Sequence, residues 1–162
     1  MDSSITVTRM YTDQSGHTRF KKMVLPLAEK KGLGSVGLFS SLFVNPILDD
    51  NAGDVKMQFA VTPVPDQSKG EGPKLAHTAP RRQLVITLDG YLEFKSCDVD
   101  ELDEEHLMII KRGDILLAED LDGAGHVWRF LKDGDNIMHP WVRCYVHLGK
   151  EYEHFISKLK EM

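Results

Sequence analysis

Short β-prone runs, each cut from the next by turn residues, are what most narrows the fold of this chain. They occupy Ser4–Met10, His17–Leu25, Ser35–Val44, Val55–Val61, Gln83–Leu88, Tyr91–Phe94, Leu107–Ile110, Ile115–Ala118, Val127–Leu131 and Trp141–Leu148. Each has the length of a strand and is bounded by turn formers. Asp89-Gly90, between two apolar runs, reads as a hairpin turn. Val55, Met57, Phe59 and Val61 alternate with Lys56, Gln58 and Ala60, which reads as a half-buried strand. Pro63–Lys74 holds three prolines and two glycines and is a surface loop. Only the C-terminal stretch, about 150–161, carries a helical period: Tyr152, Phe155, Ile156 and Leu159 fall at i, i+3, i+4 and i+7. Together these signals predict an all-β barrel or sandwich closed by one terminal helix.

The 162 residues suit one domain, expected to span 1–162. With 41% hydrophobic and 28% charged residues the composition is that of a globular chain. A net charge of -5 gives no electrostatic reason to bind nucleic acid or an anionic membrane. The most apolar stretch, Val36–Val44, is interrupted by Ser40 and Ser41 and is too short to span a bilayer. MDSSITVTRM lacks the basic and apolar regions of a secretory signal. Cys97 and Cys144 match no metal or redox spacing. The expectation is a soluble cytoplasmic protein with two reduced thiols.

Several features carry no chemistry. Gly32-Leu33-Gly34-Ser35-Val36-Gly37 has the spacing of a dinucleotide loop, but β-rich LFSSLFVNP follows where a helix N-terminus would have to hold the pyrophosphate. Asp98–His106 holds six carboxylates without the glycine a calcium loop needs, so it reads as a solvated acidic loop that includes His106. His139, His147 and His154 share no metal spacing and read as surface or packing residues.

The informative segments are His77–Gly90 and Gly113–Phe130. If the first is extended, His77, Ala79, Arg81, Gln83, Val85 and Thr87 share one face, and Leu84, Ile86 and Leu88 the other. Polar groups opposite pure aliphatics fit a small barrel with a partly polar lumen, its outside covered by another sheet or a partner subunit. In the second segment His126, Trp128 and Phe130 share a face.

These segments resemble the two motifs of the cupin superfamily, small jelly-roll β-barrels that often hold a metal in the lumen. The first motif is HxH, three or four residues, Glu, six residues, Gly; anchored on Gly90, it places His77 and Ala79 at the two histidines and Gln83 at the glutamate. The second is G, five residues, PxGxxH; Gly123 and His126 keep its GxxH spacing, Leu121 stands at the proline, and Gly113-Asp114 is similar to its opening turn. Ala79-Pro80-Arg81-Arg82-Gln83 and the segment from Gly113 to His126 also resemble a group of small single-domain cupins, as does Thr8–Phe20 before the barrel. The resemblance covers about Val7 to Leu148 and implies a barrel at about 35–148 and homodimers.

The same resemblance implies a metal site of three histidines and a glutamate, suited to Fe, Mn, Ni or Zn. Here it is reduced to His77, Gln83 and His126, so a weakly held divalent ion and an empty lumen are both expected outcomes. Histidines that change charge near neutral pH suit proton transfer. His77 and His126 are therefore the catalytic candidates, with Phe59, Arg81, Gln83, Thr87, Trp128 and Phe130 as candidates for binding a small molecule. Loss of the glutamate favours isomerase, lyase or cyclase chemistry; a metal-dependent dioxygenase and a non-catalytic binding module are the alternatives.

Overall fold

The computed structural model describes residues 4–30, 34–37, 57–65, 76–99 and 103–148. Among them there are ten strands and no helix. β1 (Ser4–Thr12), β2 (Thr18–Lys30) and β3 (Gly34–Gly37) pair antiparallel in sequence. β4 (Met57–Thr62), β5 (Gln83–Asp89) and β6 (Tyr91–Ser96) follow. β7 (Leu107–Lys111), β8 (Ile115–Glu119), β9 (His126–Phe130) and β10 (Trp141–His147) complete the set.

The strands form two sheets, a larger one in the order β3-β2-β1-β8-β5-β10-β4 and a smaller one in the order β7-β6-β9. β1 runs parallel to β8, while β5 is antiparallel to both β8 and β10. Apolar residues from both sheets meet in one core: Met10, Val85 and Trp141 from the larger, Phe94, Ile110 and Trp128 from the smaller. Each such burial contributes about 2 kcal/mol. The other side of the larger sheet carries a second apolar cluster, Val7, Leu84, Leu117, Cys144 and Val146. Period two therefore divides β5 in two. Val85 enters the core between the sheets, and Leu84 and Ile86 belong to the second cluster.

Asp89-Gly90 does not close the expected hairpin. β5 pairs with β8 and β10, and β6 with β7 and β9, so this turn carries the chain from one sheet to the other. A two-residue type I′ hairpin needs positive φ at both central residues. Here only Gly90 has it, at +118°, with the Trp141 Cα where a Cβ would come within 3.1 Å.

The helix expected at about 150–161, and the part of the Ser35–Val44 run beyond Gly37, lie outside the described residues. Among the described residues no helix is long and apolar enough to cross a membrane.

Candidate functional site

Both sheets contribute to the wall of a half-open cavity of about 400 Å³. Its buried floor includes His126, Gln83, Val85, Phe94, Ala118 and Trp141, and its exposed rim includes Gln58, His77, Pro80 and Arg81.

Backbone hydrogen bonds bring the two motif segments together at this floor. The His77 N–H donates to the His126 carbonyl at 3.1 Å and the His126 N–H to the His77 carbonyl at 2.9 Å. The Ala79 N–H donates to the Asp120 carbonyl at 3.0 Å. Gly125 permits this approach: its φ is +74°, and a Cβ there would lie 2.5 Å from the His77 carbonyl oxygen. The loop before His126 rests in turn on the β1–β2 turn, where the Ala124 N–H donates to the Gly16 carbonyl at 2.9 Å.

Asp13 builds that turn. Its Oδ1 accepts from the backbone N–H of Ser15 (2.8 Å) and His17 (3.0 Å), and its Oδ2 from Arg19 Nε (2.8 Å). The Arg19 hydrogen bond, followed by these backbone donors, holds the Asp13 carboxyl down to a pKa of about 2.

The defining side-chain contact is between His126 and Asp120. His126 Nδ1 lies 2.6 Å from Asp120 Oδ2, with His126 4% exposed and Asp120 0%. Thr18 Oγ1 donates to the same Oδ2 at 3.1 Å, while Asp120 Oδ1 is buried with no hydrogen-bond partner among the described residues. Because Nδ1 is committed to the carboxylate, Nε2 is the ring nitrogen left for the cavity. The His126 ring stacks on Phe94 at 5.5 Å between centroids and lies 4.6 Å from the His77 ring. A carboxylate behind an imidazole sets its tautomer and orientation, which serves proton transfer and metal ligation alike.

Of the residues expected at the site, His77, Arg81, Gln83 and His126 come together on the cavity wall. Thr87 is fully buried and accepts from Trp141 Nε1 at 3.4 Å. Trp128 and Phe130 pack in the core, Trp128 edge-on to Trp141 at 5.2 Å. None of these three is among the described residues that line the cavity. Phe59 is 66% exposed and pairs with Cys144 of the second cluster, so it faces away, and its neighbour Gln58 takes the cavity side. Alternation along a strand separates two faces but does not say which of them is inward.

The sequence alone does not point to Asp120, Tyr145 or His147 at this site. Trp141, Tyr145 and His147 line the cavity, and their shared parity in Trp141–Leu148 was the available signal. Asp120 adjoins Glu119, which instead pairs with Arg9 at 2.6 Å, and spacing alone does not tell the two acids apart. His106 is buried rather than solvated, its Nδ1 2.7 Å from Asp103 Oδ1.

As a metal-binding set the site offers two imidazoles, those of His77 and His126, and the neutral Gln83 amide. Among the described residues no three His, Cys, Asp or Glu side chains group as ligands. Such donors would hold a divalent ion only weakly, since the amide brings no negative charge.

No protein-family model matches the chain, and no curated protein matches it.

Proposed function

We propose that this chain is a cupin-type jelly-roll enzyme that moves a proton on a small organic molecule in the cavity, with His126 as general acid/base. The observation that carries it is the buried 2.6 Å contact between Asp120 and His126, with the ring opening onto the cavity. The two-sheet fold and the meeting of His77, Gln83 and His126 add support.

Asp120 holds the Nδ1 proton of His126, so Nε2 takes a proton from the bound molecule and the carboxylate stabilises the imidazolium that forms. Return of that proton to a different atom completes an isomerisation, elimination or cyclisation. Arg143 Nε donates to the Tyr145 hydroxyl oxygen at 2.5 Å, which leaves the hydroxyl's own hydrogen to be donated to the substrate. Val85, Phe94 and Trp141 give an apolar floor that limits water.

Incubation with candidate small acids and carbonyl compounds in deuterium oxide, followed by proton NMR, tests this. Solvent deuterium should enter a bound compound with the wild type and not with His126→Gln. A compound that binds the cavity without exchange would instead favour a non-catalytic binding module.

A second reading is favoured by the closeness of the His77 and His126 rings. A divalent ion (Fe, Zn, Ni or Mn) held by His77, Gln83 and His126 would supply Lewis acidity, or dioxygen chemistry if it were iron. Elemental analysis of protein never exposed to chelator, with His77→Ala/His126→Ala as control, separates the two.

The chain is further proposed to act as a homodimer in the cytoplasm. The free thiols Cys97 and Cys144, both raised in pKa by burial, suit a reducing compartment.

A further inference from the structure

Cationic and neutral polar groups line the cavity. Arg81, His77 and His147 face it together with Gln58, Gln83 and Tyr145, and no Asp or Glu is among the described residues that line it. The carboxylate behind the floor, Asp120, is fully buried and already engaged by His126 Nδ1 and Thr18 Oγ1. A second guanidinium stands against the wall. The Arg143 Cζ lies 3.9 Å from the Trp141 ring centroid and 5.1 Å from that of Tyr145. Gln83 is only 7% exposed and lines the cavity, so its amide is placed to hydrogen-bond a polar ligand atom or water. Beside these groups Val85, Phe94 and Trp141 present apolar surface.

We propose that the cavity's ligand is a small carboxylic acid bound as its anion, with an apolar body on the Val85, Phe94 and Trp141 floor and its carboxylate at Arg81. This rests on the cavity being the functional site and narrows that site to one class of charge. A cation would be brought beside Arg81 with no lining carboxylate to receive it, and an uncharged molecule would forgo the charge-assisted contact that Arg81 offers. Guanidinium matches a carboxylate through two parallel hydrogen bonds. A volume of about 400 Å³ limits the acid to a small one, at the lower end of ligand pockets.

Tryptophan fluorescence reads the site directly, because Trp141 lines the cavity and Trp128, the chain's other tryptophan, packs against it. Titration at neutral pH uses benzoate, its neutral isostere benzamide and the cation benzylamine. Benzoate should bind about ten-fold or more tightly than benzamide, the difference expected of one charge-assisted contact, and benzylamine should give no response. Arg81→Gln should bring benzoate down to the affinity that benzamide shows with the same variant, with Tm unchanged because Arg81 is exposed. Benzamide binding as tightly as benzoate would overturn the anion preference while leaving the cavity a ligand site. A benzoate preference that survives Arg81→Gln would overturn the assignment to Arg81. No response to any probe at millimolar concentration would overturn both this proposal and the cavity as a ligand site.

Discussion

Asp120 Oδ2 lies 2.6 Å from His126 Nδ1 in a buried pair, so the imidazole at the cavity floor is held from behind by a carboxylate that solvent does not reach. Asp120→Ala leaves the ring buried without its partner and removes an acceptor from the Thr18 hydroxyl. The cost should be about 3 kcal/mol. For a chain of this length that is a fall in Tm of about 6–12 °C. His126→Ala should be costly too, since it leaves the carboxylate unpaired. The double variant should cost less than the sum of the single ones, by about 1 kcal/mol or more. Urea unfolding of the four proteins measures this, and strict additivity would mean the two groups do not interact.

Gly125 and Gly113 both have positive φ, at +74° and +89°, but only at Gly125 would a Cβ meet another segment, 2.5 Å from the His77 carbonyl oxygen. Gly113→Ala should therefore cost about 1 kcal/mol, the strain of the backbone alone. Gly125→Ala should cost at least about 2 kcal/mol more, because it also forces His77 away from His126. It should weaken ligand binding as well, which Gly113→Ala should not. Denaturant unfolding and fluorescence titration of both variants check the contrast; equal losses would mean that the close approach of the two segments is unimportant.

Asp13 has its carboxyl held at about 2, first by Arg19 and then by backbone donors, below the usual 3.8. A depressed carboxylate stabilises the fold fully above its unfolded value, near pH 4. That stability is lost as the pH falls towards 2. Asp13→Asn should be less stable than the wild type around neutral pH, and the gap should close on acidification across this window. Because Asp13 lies at the surface the gap should be small and should narrow with added salt. Tm recorded against pH for both proteins decides it, and a gap constant down to pH 2 would be the contrary result.

The strand runs were legible because β-branched and aromatic residues between turn formers leave little else for the chain to do. All ten described strands overlap the runs read from the sequence, and the divided faces of β5 follow from its period of two. Legibility ended where a choice depended on the other side of the molecule. Asp89-Gly90 carries a hairpin signature, yet β6 turns to a different sheet, because its partners Leu107–Lys111 and His126–Phe130 come later in the chain. His77, Gln83 and His126 could be placed by motif spacing and by parity. Asp120 could not, since its role depends on Thr18 and His126 converging on one oxygen from two other segments. Phe59 reads from the sequence as a ligand contact, although packing gives the cavity side of its strand to Gln58.

Phe59 supplies a test of the quaternary structure. Among the described residues β4 is the last strand in the order of the larger sheet, and it presents Met57, Phe59 and Val61 on one side, each more than 60% exposed. Their partners in the register are Val146, Cys144 and Val142, so the stripe continues the second apolar cluster out to the last described strand of the sheet. An exposed apolar edge strand invites pairing with another chain, and a charge placed on it blocks that pairing. If the proposed homodimer forms through β4, Phe59→Glu should convert it to monomer. Tm at low protein concentration and benzoate binding should change little, because Phe59 faces away from the cavity. Sedimentation velocity over a range of concentrations measures the shift. A dimer that survives Phe59→Glu would place the interface elsewhere, and a wild type that is monomeric throughout would remove the dimer altogether.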